Sequence, residues 1–219
     1  GKRRTRRTQK HPKNETKMKT LKYDNKEDWM FARRGKITGS RLKDIVVKRG
    51  TGKKIGYYEL IAERLATEPE GNETAMDRGT RLEPEALERF TKETKKKVDT
   101  SLVIWTRDEN ESIAISPDGI ISDTEVVEAK CLSSARHIEA FLTQEIPSEY
   151  EMQVYQYFIV NDMLTTLYLA FYDPRLPCKD FFYLTIKRKD VQTQVDEYLE
   201  YQRKTLEEVN EIVNKLSGF

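Results

Sequence analysis

The sequence predicts a mixed α/β domain of the α+β kind, with a mixed central sheet flanked by helices. Three observations predict it. Helical spacing of apolar residues dominates up to Lys97, β-branched alternating stretches replace it from Val98 to Ala129, and a helix, two strands and a closing helix follow. Taken in order, Lys26 to Arg34 reads as a short helix carrying Phe31 and Trp29, the latter read as a structural core anchor that supports Arg33. Thr38 or Ser40 can cap a second helix with Leu42, Ile45 and Val46 on one face. Residues 49–54 form a basic glycine-rich loop. Tyr57 to Ala66 is helical, residues 68–74 are loop, and Ala75 to Lys97 is helical with a kink or restart at Pro84. Val98–Thr106, Ser112–Ser116 and Glu125–Ala129 read as strands, with turns at Asp118-Gly119 and Ser122-Asp123. Ser133–Gln144 and Ser148–Val160 return to helix, and Thr165–Tyr172 and Phe181–Ile186 are strands. A helix from about Asp190 to Leu216 has an inner stripe of Val191, Val195, Leu199, Leu206, Val209, Ile212, Val213 and Leu216.

Composition narrows the class. With 219 residues and 37% hydrophobic side chains, the chain can bury one core. The opening Gly1-Lys2-Arg3-Arg4 leads into no apolar stretch and no apolar run approaches the length of a membrane span, so neither a secretory leader nor a membrane helix is expected. Two cysteines, Cys131 and Cys178, are too few for a disulfide framework or a four-cysteine zinc site, and a reduced, cytoplasmic setting is expected. The net charge of +2 conceals a division: residues 1–22 hold ten Lys or Arg against Glu15 alone, while the remainder holds 29 basic and 36 acidic residues. Residues 1–25 are therefore expected to be a disordered basic arm, either a grip on nucleic-acid phosphate or a solvated leader, and 26–219 a single domain. An acidic body cannot hold DNA by global charge, so a DNA contact there needs a local basic groove. An acidic surplus also fits carboxylates gathered around cations.

Candidate chemistry sits in the central strands. An apolar strand ends in Pro117-Asp118, and ten residues later a second carries Glu128-Ala129-Lys130. Strand alternation puts Glu128 and Lys130 on one face, and a hairpin-like return brings Asp118 beside them. Two neighbouring acids repel unless a cation neutralises them, and hard Mg²⁺ prefers carboxylate, carbonyl and water oxygens. The rival reading is a structural Glu128–Lys130 salt bridge, because Glu-x-Lys also occurs at Glu15 and Glu93. The Gly50-x-Gly52-Lys53 stretch is not a phosphate-binding P-loop, having the wrong spacing and no preceding strand. His11 and His137 are too scattered for a catalytic pair, and His137 reads as structural.

Pro117-Asp118…Glu128-Ala129-Lys130 resembles the signature of the PD-(D/E)xK nuclease superfamily. Trp29-x-x-x-Arg33-x-Gly35-x-Ile37-Thr38-x-Ser40, Arg78-Gly79-x-x-x-Glu83, Ser116-Pro117-Asp118-Gly119, Lys130-Cys131-x-x-x-x-Arg136, Tyr150-x-x-Gln153 and Tyr172-Asp173-Pro174-Arg175 resemble, in order, the motifs of the phage lambda-type (viral recombinase, alkaline) exonucleases. The resemblance implies a restriction-endonuclease-like core. It implies a metal site of Asp118, Glu128 and the Ala129 carbonyl with Glu83 at a second position, Lys130 assisting the attacking water, and Gln153 reaching the same centre. It further implies that Arg33, Ser40 and Arg136 hold a 5′-terminal phosphate, that Ser116 donates to phosphate and that Arg49 contacts the DNA end. The activity implied is Mg²⁺-dependent (Mn²⁺ substituting) 5′→3′ degradation of one strand at double-stranded DNA ends, releasing mononucleotides and leaving 3′ tails for recombination. A closed homo-oligomeric ring, commonly a trimer, and a single-strand annealing protein as partner are implied too. Two alternatives stand beside it: a structure-specific or restriction-type endonuclease with the same site, and a non-catalytic DNA-binding module.

Overall fold

The structure, a computed structural model, describes residues 24–35, 37, 44, 47 and 49–218. The basic segment 1–22, Ser40 and, except for Asp44, the helix expected around Leu42–Val46 lie outside the described residues. The chain divides into two compact units, residues 1–34 and 35–219. In the first, α1 (Lys26–Ala32) is capped by the Asn25 side chain, which accepts from Asp28 N–H. It buries no residue; Trp29 is 44% exposed and supports Arg33 instead, whose guanidinium lies 4.4 Å from its ring centroid. The expected core anchor is a cation–π partner.

The second unit is built on a four-stranded mixed sheet. Its strands are β3 (Gly119–Ser122), β4 (Glu125–Lys130), β5 (Thr166–Tyr172) and β6 (Phe181–Lys187), in that spatial order. Only the β4–β5 pair is parallel. Its crossover contains α4 (Ser134–Thr143), a 3₁₀ turn (Ser148–Tyr150) and α5 (Glu151–Val160). Central β5 reads Thr-Leu-Tyr-Leu-Ala-Phe, buried on both faces, as a strand covered by helices on both sides must be. On one face Val126, Leu167, Leu169 and Phe171 pack against Val154, Tyr157 and Phe158 of α5 and Val191 and Val195 of α6 (Arg188–Ser217). On the other, Val127, Tyr168, Ala170 and Phe181 pack against Leu87 and Phe90 of α3 (Ala75–Thr94). Each fully buried Phe or Leu contributes about 1.5–3 kcal/mol of transfer free energy. Against α4, through Ala135 and Ile138, lies α2 (Ile55–Leu65), which contributes Tyr58 and Ala62. A separate hairpin of β1 (Trp105–Arg107) and β2 (Asn110–Ile115) is tied to α5 where the Gln156 amide donates to the Ala114 carbonyl at 3.1 Å.

Four local expectations are corrected. Of Val98–Thr106 only the end enters a strand; Asp99 makes a lone bridge to Ile120, and Leu102 and Ile104 stay exposed because no strand lies alongside. Asp118-Gly119 is not a turn but the entry to β3, a strand that its four-residue length conceals in sequence. A Cβ on Gly119 would stand 2.5 Å from Val98 Cγ1 and 2.7 Å from Val127 Cγ1, so this glycine answers a close approach. Pro84 does not end its helix: α3 runs through it for 20 residues, with Leu82, Ala86, Leu87 and Phe90 anchoring both sides of the exposed proline. Packing outweighs one lost helical hydrogen bond. The stripe of α6 is inner only as far as Leu206; Val209, Ile212, Val213 and Leu216 are exposed, since the sheet and α5 do not extend beneath them.

Candidate active site

The β3–β4 register pairs Gly119 with Val127, so the residue before β3 falls beside the residue after Val127. Asp118 thus reaches the end of β4, where its Oδ2 accepts the Ala129 N–H at 2.9 Å. Alternation puts Glu128 and Lys130 on one face, with Nζ 3.0 Å from Oε1. Leu82 and Ala86 seat α3 against Cys131 and Ala129, which brings Glu83, one residue along, to the same cleft. The cleft is a cavity of about 520 Å³ whose lining includes Arg78, Glu83, Asp118, Glu128, Lys130 and Arg136.

Glu128 is only 3% exposed. A carboxylate so buried needs donors, and it has three. Lys130 Nζ and Gln153 Nε2, the latter at 2.8 Å, converge on Oε1, while the buried Tyr157 hydroxyl donates to Oε2. Gln153 also accepts from Lys130 at 2.6 Å, and the ammonium lies 4.3 Å from the centroid of the Tyr150 ring. Burial first, and the Asp118 charge second, push the Glu128 carboxyl up to about 7. Burial and then Asp118 also raise Glu83, while Lys130 pulls it down. Glu83 and Glu128 thus both feel the Asp118 charge. Cys131 is no nucleophile: burial and the nearby Glu83 charge push its thiol up to about 12.

Among the described residues no group of three or more His, Cys, Asp or Glu side chains is assembled as a ready metal cage. The donor set nonetheless suits a hard divalent cation. It is made of oxygen, two of its acids have raised pKa values relieved by added positive charge, and Mg²⁺ ordinarily takes one or two carboxylates and keeps several waters. Asp118, Glu128 and the Ala129 carbonyl are the residues that would hold such an ion, with Glu83 of α3 lining the same cleft.

A model of the YqaJ-like viral recombinase domain matches residues 28–166. The chain belongs to this family. Two crystal structures of LHK-Exo, an alkaline exonuclease from Laribacter hongkongensis, one of them in complex with dAMP, share this fold. Each is 31% identical with a TM-score of 0.52, over 87% of this chain and 100% of that one. No curated protein sequence matches. The viral recombinase chain is thus of the lambda-exonuclease type, on a PD-(D/E)xK nuclease fold. Among the described residues no helix is long and apolar enough to cross a membrane.

The residues expected at the site divide into two groups. Asp118, Glu128, Ala129, Lys130, Glu83 and Gln153 come together, and Arg136 lines the same cleft, paired with Glu139 at 3.1 Å. Ser116 is exposed and Arg49 lies in an exposed loop; neither lines the cleft. Ser116 lies between β2, which ends at Ile115, and β3, which begins at Gly119, outside the β3–β4 register that carries Asp118 to Glu128. Arg33 belongs to the first unit, and Ser40 lies outside the described residues. Sequence reasoning missed Tyr157 and Arg78. Tyr157 is four residues after Gln153 and so shares its helix face, a detectable signal hidden by the habit of reading aromatic residues on a helix as core. Arg78 stands in the quoted Arg-Gly motif; its Nε donates to the Cys131 carbonyl at 3.0 Å. His137 is structural as expected: burial depresses its pKa, Nε2 meets the Lys179 carbonyl at 2.8 Å, and its ring packs edge-on against Phe182.

Proposed function

We propose that the protein is a Mg²⁺-dependent 5′→3′ exonuclease of double-stranded DNA ends. It would release 5′ mononucleotides and leave a 3′ single-stranded tail for recombination. The observation that carries the proposal is the convergence of Asp118, Glu128, Lys130 and Gln153 on one buried carboxylate network that opens into a cleft, in a chain of this family. That LHK-Exo forms a complex with dAMP supports a nucleotide as ligand of this chain. A divalent ion bound there would polarise the scissile phosphodiester and acidify a bound water.

The chain's own residues supply the rest. The Ala129 N–H fixes one oxygen of Asp118, so the carboxylate is oriented before any ligand arrives. Tyr157 anchors Glu128 through Oε2, while Oε1 accepts from Lys130 and Gln153. Lys130 is held between Glu128, Gln153 and the Tyr150 ring, placing its ammonium to orient the attacking water or to neutralise charge on the phosphoryl oxygens. Arg136, with Arg33 and Ser40, is the proposed 5′-phosphate contact, its fork suited to a terminal phosphate. The homo-oligomeric ring, commonly a trimer, and the annealing partner rest on the family resemblance alone.

The test uses a linear duplex and a covalently closed circle of the same DNA with Mg²⁺. Loss of the linear form with the circle untouched is expected. Rapid nicking of the circle would instead assign an endonuclease, and intact binding with no cleavage of either would assign a DNA-binding module.

A further inference from the structure

A second arrangement, with no role in the proposed hydrolysis, adjoins the cleft through Arg78, which lines it. Three segments aim donors at one carboxylate. Glu70 Oε2 receives Arg175 Nη1 and pairs with Arg78 Nη1 at 3.5 Å, while Oε1 accepts the Ser134 backbone N–H at 2.6 Å. The two guanidiniums are fixed from behind. Arg78 Nε is held by the Cys131 carbonyl at 3.0 Å, Arg175 Nη2 by the Leu132 carbonyl at 3.1 Å, and Arg175 Nε by Asp173 at 2.8 Å. Asp173 is 1% exposed and also accepts the Ser134 hydroxyl. The donors are thus preorganised and largely shielded from solvent: the side chains of Arg78 and Arg175 are 11% and 13% exposed. Their anion is not. The Glu70 side chain is 44% exposed, in the exposed loop of residues 67–74. That loop is tied at its ends, by Thr67 N–H to the Arg175 carbonyl at 2.9 Å and by Glu73 to Arg81 at 2.7 Å, with the exposed Glu70 between the two ties. Arg78, Cys131, Leu132 and Ser133 line the same cavity as Asp118, Glu128 and Lys130.

We propose that the Arg78, Arg175 and Ser134 N–H donors form a phosphate subsite adjoining the cleft at Arg78, occupied in the ligand-free protein by the Glu70 carboxylate, which a nucleic-acid phosphate displaces. The inference rests on the exonuclease reading for the identity of the ligand, not for the existence of the site. Two desolvated guanidiniums require an anion. A phosphate offers more acceptor oxygens than a carboxylate and matches the arginine fork at least as well. Glu70 then acts as an internal competitor: it keeps the donors paired between substrates and weakens the retention of a released mononucleotide.

The experiment is calorimetric titration of inorganic phosphate into the full chain in chelator, so that neither metal nor catalysis enters. Removing the competitor in Glu70→Gln is expected to tighten phosphate binding by about tenfold or more, because the apparent affinity scales with the fraction of open sites. Adding Arg78→Gln to that variant is expected to abolish the gain. Glu70→Asp, which keeps the charge but shortens the reach, should fall between and serves if Glu70→Gln folds poorly. Competition by a short duplex assigns the site to a backbone phosphate, and competition by a 5′ mononucleotide alone assigns it to the product. Equal phosphate affinity in the wild type and both Glu70 variants, or a gain indifferent to Arg78, overturns the proposal and leaves Glu70 a structural ion pair. Since DNA cleavage is read separately, a failed subsite and a failed nuclease assignment give different results.

Discussion

Replacing Glu128 by Gln is expected to stabilise the metal-free protein at pH 8. The carboxyl lies at about 7 in the folded chain against an ordinary value of 4.5, because burial and the Asp118 charge disfavour its ionised form. Its pKa is raised on folding, so its contribution is fully present below about 4.5 and lost as pH rises through 7. A displacement of that size corresponds to on the order of 3 kcal/mol. Glutamine mimics the protonated acid: its single amide oxygen can accept from Lys130 while its amide N–H₂ donates to the Tyr157 hydroxyl oxygen, and it does not ionise. Urea unfolding in chelator should therefore find wild type and Glu128→Gln close at pH 5. They should diverge until the variant is the more stable by on the order of 2–3 kcal/mol at pH 8. Glu83 shifts in the same direction and His137 in the opposite one, but both are common to the two proteins and cancel in the difference. Adding Mg²⁺ at pH 8 should raise the wild-type midpoint and leave the variant nearly unmoved. Parallel pH profiles for the two proteins would refute the reasoning, since Glu128 would then carry no strain for a cation to relieve.

Other outcomes follow from the same geometry. Tyr157→Phe leaves a buried carboxylate oxygen without its donor, so stability should fall by about 1–3 kcal/mol. Mg²⁺ affinity measured by calorimetry should weaken with it; an unchanged affinity would make the hydroxyl merely structural. Gly119→Ala forces a methyl against Val98 and Val127, and thermal unfolding should show a loss of about 1–3 kcal/mol together with reduced nuclease activity, because Asp118 adjoins the displaced strand. Pro84→Ala restores an N–H to the middle of an exposed helical turn, and denaturant unfolding should show a gain of up to about 3 kcal/mol; a loss would mean that the proline shapes the placement of Glu83.

The legible parts of the sequence were those in which period and chemistry agree. The strand Glu125–Lys130 alternates, so the shared face of Glu128 and Lys130 could be read directly, and Asp118 followed from any antiparallel return. The β5 and β6 strands announced themselves as apolar runs, and α3 and α5 by their spacing. What stayed hidden depends on long-range contact. Strand β3 is too short to show a period. Residues 98–104 have strand composition but lack neighbours except at Asp99, and composition cannot report a partner. The distal stripe of α6 has core spacing without a core beneath it. Tyr157 was hidden because a buried aromatic hydroxyl looks like any core tyrosine until its carboxylate partner is in place. Arg78 and Arg175 lie 97 residues apart in sequence and meet only through Glu70.

The central claim is that Asp118 and Glu128, with Lys130, form a cation-dependent centre that removes nucleotides from the 5′ end. A linear duplex labelled at one 5′ end, and in parallel at one 3′ end, tests it most directly when incubated with wild type and Asp118→Ala, with Mg²⁺ or with chelator. The account predicts that the 5′ label appears first as a mononucleotide, only in the wild type and only with the ion, while Asp118→Ala still binds the duplex. Early release of the 3′ label, cleavage in chelator, or full activity in Asp118→Ala would contradict it.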